Sequence, residues 1–155
     1  MDDRICSAIC GFNADGRVLV NKARYECQVY SFTYDQPVSI EYISKRISEI
    51  MQKFTQRGGA RPFGFSLMLA GIGQSGQPIL NQIDPSGMIT TYKSHSIGKN
   101  SKFVNEMLEE QWKEDMSLEE GLDLMARCFN NNIDDPKNNS EIVVVGKDQI
   151  KFLQK

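Results

Sequence analysis

The sequence predicts an α/β (α+β) layered sandwich with antiparallel sheets, and three observations carry that prediction. Strand-like and helix-like patterns follow one another in the order β-αα-βββ-αα-ββ. The three central strand candidates are joined by short turns, which makes them an antiparallel meander. The stretch from Phe63 to Ile72 is apolar on both faces, with Phe63, Phe65, Leu67 and Leu69 set against Met68 and Ala70, so both sides of its sheet need covering.

The elements follow in order. Arg4 to Cys10 is short and β-branched, which suits a strand, and Gly11-Phe12-Asn13 ends it. Asn13 is a candidate N-cap for a helix from Ala14 to about Tyr30, whose apolar stripe is Leu19, Ala23, Cys27 and Tyr30. Pro37 is placed to start a second helix, in which Ile40, Ile43, Ile47, Ile50, Met51 and Phe54 keep the 3,4 spacing and Gly58-Gly59 stops the chain. Strands are expected over Phe63 to Ile72, Gln77 to Ile83 and Met88 to Ser94. The second link, Asp84-Pro85-Ser86-Gly87, has the proline and glycine positions of a type I turn. Two further helices run from Ser101 to Lys113 (Phe103, Met107, Leu108, Trp112) and from Leu118 to Asn130 (Leu118, Leu122, Met125, Phe129). Ser117 and Glu120 form a capping box for the latter. A polar loop over Asn132 to Ser140 leads to a final hairpin, Ile142 to Val145 and Gln149 to Leu153, turning at Gly146-Lys147-Asp148.

At 155 residues the chain is expected to form one domain, 1–155, large enough to bury a core. A net charge of −2 provides no field that would draw it to nucleic acid or an anionic membrane. Its apolar runs are far short of a membrane span and its start lacks a signal-peptide pattern, so a soluble intracellular protein is expected. Cys6, Cys10, Cys27 and Cys128 have no C-x-x-C spacing and no companion histidines, which predicts reduced, mostly buried thiols and no metal site.

One stretch invites a cofactor. Gly71-Ile72-Gly73-Gln74-Ser75-Gly76 matches G-x-G-x-x-G, the pattern that cradles a dinucleotide pyrophosphate. Its context fails, because such a loop must open a helix and Pro78 and a strand follow instead. A hairpin turn is expected, and no cofactor. His95, the single histidine, has no nucleophile motif beside it and is expected to be structural. Asp84 is assigned to its turn, Glu109-Glu110 and Glu119-Glu120 to solvated helix faces, and the Asn138-Asn139-Ser140 sequon is set aside. Gly58-Gly59, Arg61 and Gly64 could form an anion-binding nest, but a helix-to-strand connection explains the same residues. Residue chemistry alone thus points to no active site.

A series of ordered motifs is more informative. Asp2-Asp3-Arg4-Ile5, Gly11-Phe12-Asn13-Ala14-Asp15-Gly16-Arg17-Val18-Leu19 and Ala23-Arg24-Tyr25-Glu26 come first. Phe54 through Arg61-Pro62-Phe63-Gly64, then Asp84-Pro85-Ser86-Gly87, Tyr92-Lys93, Ile97-Gly98 and Phe103 through Trp112-Lys113-Glu114 follow. Together they resemble proteasome α-type subunits over nearly the whole chain. The resemblance implies a four-layer αββα sandwich of the N-terminal nucleophile hydrolase type, in agreement with the element order. It implies a non-catalytic subunit of the 20S outer ring that acts in ubiquitin-dependent protein degradation, in cytoplasm and nucleus. Its partners would be other α-type subunits in a seven-membered ring, β-type subunits and an activator. The rival is a catalytic β-type or another N-terminal nucleophile hydrolase, which needs an N-terminal threonine; Met1 precedes Asp2, Thr33 falls between helices and Thr55 ends one. A stand-alone interaction module derived from the fold is a further alternative. The chain starts where the family's fourth strand would start and stops after its last hairpin. The resemblance therefore implies an incomplete sandwich with uncovered sheet edges, without the gate segment, the helix after it, the first three strands, the C-terminal helix and the pocket lysine that receives an activator's carboxylate. Of that pocket, Gly11 and Phe12 are the matching positions, with phenylalanine replacing the family's usual leucine.

Overall fold

The computed structural model describes residues 1, 3–132, 140–147 and 149–154. They form β1 (Ile5–Gly11), α1 (Asn13–Tyr34), α2 (Ile40–Gln56), β2 (Phe65–Ile72), β3 (Pro78–Ile83), β4 (Ile89–Tyr92), α3 (Ser101–Gln111), α4 (Leu118–Asn132), β5 (Ile142–Val145) and β6 (Ile150–Gln154). The expected element order is present throughout, and the class is mixed helix and antiparallel sheet. Two compact units divide the chain: residues 1–93 with 144–151, and residues 94–143 with 152–155.

In the first unit a four-stranded sheet has the order β1-β2-β3-β4, every pair antiparallel. The register places Gly11 opposite Phe65, Ser7 opposite Leu69 and Ile83 opposite Leu67. Because side chains alternate across a pleated strand, Ile5, Phe65, Leu67, Leu69 and Ile83 share one face. That face is buried with Leu19, Ala23 and Cys27 of α1 and Ile40, Ile43, Ile47 and Met51 of α2, so both helices lie on it. The opposite face differs from expectation. Ser66, Met68, Ala70 and Ile72 are only half-buried, so β2 is fully covered on its helix side alone.

Several boundaries move for physical reasons. Phe12, in an extended conformation, occupies the N-cap of α1, and Asn13 falls inside the first turn without a capping bond. The same helix runs on to Tyr34, so Thr33 lies within it and not between helices, donating its hydroxyl to the Val29 carbonyl. Helix α2 starts at Ile40 and not at Pro37, because Ser39 caps it by accepting the Tyr42 N–H. Phe63 precedes β2, which opens at Phe65.

Polar groups fix α2 to the sheet and to α1. Asn81 donates from Nδ2 to Ser44 Oγ at 3.0 Å and accepts from Thr91 Oγ1 at 2.8 Å, so the buried Ser44–Asn81 pair is satisfied. One turn further along α2, the Ser48 hydroxyl donates to the Gly87 carbonyl. Arg46 reaches across to Glu26 on α1 at 3.2 Å and to Glu49 at 2.9 Å. Glu26 is the acid of the Ala23-Arg24-Tyr25-Glu26 motif, and its work here is to join two helices.

In the second unit the capping box forms as expected. Ser117 donates its N–H to Glu120 Oε2 at 2.7 Å, and Glu120 donates its N–H to Ser117 Oγ at 3.3 Å. The stripe expected on α4 is shifted: Leu124 and Cys128 are buried, whereas Leu118 and Met125 are exposed. Helix α3 contains no buried residue. The last hairpin, whose residues 144–151 belong to the first unit, pairs β5 with β6 and is closed by the Gly146 N–H donating to the Gln149 carbonyl. Most of the polar loop expected before it, with Asn138 and Asn139 of the sequon, and Asp148 of the turn, lie outside the described residues.

Candidate functional site

The two positions singled out for partner binding, Gly11 and Phe12, form the corner where β1 passes into α1. Gly11 has φ +130°, and a Cβ there would lie 2.5 Å from the Gly64 carbonyl oxygen and 2.7 Å from Phe65 Cα. Only glycine lets the chain leave the sheet in this direction so close to the neighbouring strand. Phe12 then donates its N–H to the Gly64 carbonyl at 2.9 Å and accepts the Gly16 N–H at 3.1 Å, which starts the helix. Its ring lies on Gly64, where a Cβ would be 2.2 Å from Phe12 Cδ2. The ring remains 65% exposed.

Charged groups hold this corner from both sides. Arg61 grips Asp15 with two bonds, Nη1 to Oδ2 at 2.6 Å and Nη2 to Oδ1 at 2.8 Å, and Oδ2 also accepts the Gly64 N–H at 3.1 Å. The Arg61 guanidinium lies 6.0 Å from the centroid of the Phe12 ring. Bonds from Arg61 and then from the Gly64 N–H hold the Asp15 carboxyl down at about 2, and Asp15 in turn raises Arg61 above its ordinary value. Arg61 is thus committed to a carboxylate, which removes the cation from the anion nest that was one reading of Gly58 to Gly64.

The remaining candidates are placed by the fold. Gly71 to Gly76 ends β2 and turns into β3, with the Gly73 N–H donating to the Gln77 carbonyl at 2.8 Å. The Gln74 N–H faces Glu41 Oε1 at 3.3 Å, so a carboxylate of α2 stands beside this turn. A strand follows, and the pattern match is turn chemistry. Asp84 Oδ1 accepts from the Ser86 N–H at 2.8 Å and the Met88 N–H at 3.1 Å. Burial raises its pKa, but the bond from the Ser86 hydroxyl and then those from the backbone N–H groups outweigh burial, and the net shift is downward. His95 is half-buried beyond the end of β4, and burial pushes its pKa below the ordinary value. The Thr55 hydroxyl donates to the Gln52 carbonyl of its own helix at 2.7 Å. The cysteines divide: Cys27 and Cys128 are buried as expected, while Cys6 and Cys10 lie half-buried on the less covered face of β1. Concavities of about 350 and 320 Å³, lined by Gln111 and Arg127 and by Arg4 and Asp35 among others, include neither Gly11 nor Phe12.

A family model described as "Proteasome subunit" matches residues 1–146. The chain belongs to the proteasome subunit family. It is 43% identical over 149 residues to proteasome subunit alpha type-7 of Dictyostelium discoideum, covering 96% of this chain and 59% of that protein. Against proteasome subunit alpha of Methanocaldococcus jannaschii it is 40% identical over 150 residues, 96% of this chain and 57% of that protein. Against proteasome subunit alpha type-8 of Mus musculus it is 37% identical over 151 residues, 96% and 60%. The chain therefore spans about three fifths of the length of these relatives. Membership in the proteasome family accords with the α+β, antiparallel fold of the N-terminal nucleophile hydrolase type, and the similarity is to α-type subunits.

Family membership gives the motifs a physical reading that spacing alone did not. Asp15 and Arg61 belong to two motifs 46 residues apart, and the fold joins them. The signal in the sequence was an unexplained acid in one motif and an unexplained base in the other, with nothing to pair them. Asp84 and Gly87 similarly hold a turn against α2. In the described part these motif residues shape turns and joints between elements.

Proposed function

We propose that this chain acts as part of a non-catalytic α-type subunit of the 20S proteasome outer ring, in ubiquitin-dependent protein degradation in the cytoplasm and nucleus. It assembles with sibling α-type subunits into a seven-membered ring, stacks on β-type subunits and contributes Gly11 and Phe12 to the place where an activator's C-terminal carboxylate docks. The observation that carries this reading is the similarity, over 96% of the chain, to proteins named proteasome subunit alpha. The hydroxyls of Thr33 and Thr55 are spent on carbonyls of their own helices, which supports a role without catalysis.

Affinity purification of the tagged chain from its native source, followed by mass spectrometry, tests the assembly. Recovery of α-type and β-type subunits in one particle is expected, together with an intact mass that shows no processing to a new N-terminal Thr, Ser or Cys. A monomer without partners, or an autoprocessed mass, rejects the proposal.

A further inference from the structure

Phe12 sits at the candidate docking corner with 65% of its surface exposed, its ring set against Gly64 and 6.0 Å from the Arg61 guanidinium. Such a ring keeps one orientation only if the surface beneath it is fixed. That surface is Gly64, at the end of a linker whose Gly58 and Gly59 have nothing within 4 Å of where a Cβ would be. The linker is tied to the start of α1 by the two bonds from Arg61 to Asp15 and by the Gly64 N–H on the same carboxylate. Both carboxylate oxygens and two guanidinium nitrogens are used, the planar fork geometry that arginine supports and lysine does not.

We infer that Asp15 and Arg61 are positioning residues for the docking corner: by holding Gly64 beneath the Phe12 ring they set the orientation in which Phe12 and Gly11 meet a partner's carboxylate-bearing C-terminus. The inference rests on the docking reading given above. It also separates position from charge. The two side chains neutralise each other, so the pair presents no net charge of its own to an incoming carboxylate. Removing Arg61 leaves an unpaired anion beside the corner, and removing the Asp15 charge leaves an unpaired cation. If the pair worked as a field, the two changes would move binding in opposite directions. If it works by position, both weaken it.

The test uses the full-length subunit in the assembled particle, with a fluorescent synthetic peptide that carries an activator's C-terminal residues, its terminus free or amidated. Asp15→Asn and Arg61→Met are each expected to weaken binding of the free-carboxylate peptide about tenfold, the scale typical of a lost orienting partner. Both are expected to speed amide hydrogen exchange at Phe12 and Gly64, with the melting temperature of the particle little changed. Should Arg61→Met fail to assemble, Arg61→Lys keeps the charge without the two-pronged grip, and weaker binding is again expected. Phe12→Ala provides the reference. If Phe12→Ala weakens binding while the Asp15 and Arg61 variants leave it unchanged or shift it in opposite directions, positioning is overturned and the docking reading stands. If Phe12→Ala leaves binding unchanged, the docking reading fails and this inference falls with it.

Discussion

At the scale of single residues, the joints of this chain depend on atoms that are absent. Gly11 combines a positive φ with a backbone oxygen 2.5 Å from the missing Cβ, so Gly11→Ala adds left-handed strain to a collision that no rotamer relieves. Denaturant titration should show a loss of about 2 kcal/mol or more for this substitution. Gly58→Ala, where a Cβ meets nothing within 4 Å, should be neutral or stabilising by about 0.5 kcal/mol through the unfolded chain. Equal effects at the two glycines would show that the corner is not constrained as described. Asp15 has a pH signature of its own. Its folded pKa, about 2, is below the ordinary 3.8, so the folded state holds the deprotonated form. The stability it contributes is present above about pH 4 and is lost as the pH falls towards 2. Replacing it with asparagine should flatten that part of the stability–pH profile and leave the neutral region parallel to that of the parent chain.

At the scale of elements, stability lies in caps and buried stripes, and these differ in how plainly a sequence announces them. Ser39→Ala removes the hydroxyl that caps α2 and should lower stability by about 1 kcal/mol, whereas Asn13→Ala should change it by less than about 0.5 kcal/mol, because Asn13 caps nothing. A larger loss at Asn13 than at Ser39, read from denaturation midpoints, would reverse that assignment. The contrast shows why boundaries were harder to read than elements. Both residues are good capping types, and the choice depends on backbone geometry set elsewhere: Phe12 is held extended by its bond to Gly64, which pushes Asn13 into the helix. The α2 stripe was legible because one helix face meets one sheet, and Ile40, Ile43, Ile47 and Met51 are all fully buried. The α4 stripe was not, because Leu118 is exposed at the helix start and the buried positions are Leu124 and Cys128. Turn chemistry was legible throughout the sheet, since Asp84-Pro85-Ser86-Gly87 and Gly73 to Gly76 are stabilised by their own neighbours. The candidate site was assigned to Gly11 and Phe12 from family resemblance alone, while the Asp15–Arg61 grip beside them depends on a contact between distant segments that no local pattern encodes.

At the scale of the whole molecule, the exposed apolar surface is concentrated in a way that local rules do not require. On α1, Val18 is 52% exposed, Tyr25 66%, Val29 42% and Phe32 93%, and these positions recur at intervals of seven, four and three. This is a helical ridge on the side away from Leu19, Ala23 and Cys27, which are buried in the core. A helix that is apolar on two opposite faces has one face for its own fold and a second for something else, and the proposed ring assembly supplies that second surface. Because Tyr25 and Phe32 are already in solvent, replacing both with glutamate removes little that the isolated fold uses, and the melting temperature should stay within a few degrees of the parent value. In the assembled particle the same change buries two unpaired carboxylates, which costs several kcal/mol if the ridge is covered. Co-expression with partner subunits and native gel electrophoresis should therefore show the doubly substituted chain folded but excluded from the particle, with a double substitution at exposed polar Lys102 and Glu106 of α3 as the reference. Incorporation equal to that reference would mean that the ridge remains in solvent and that ring contacts use another surface.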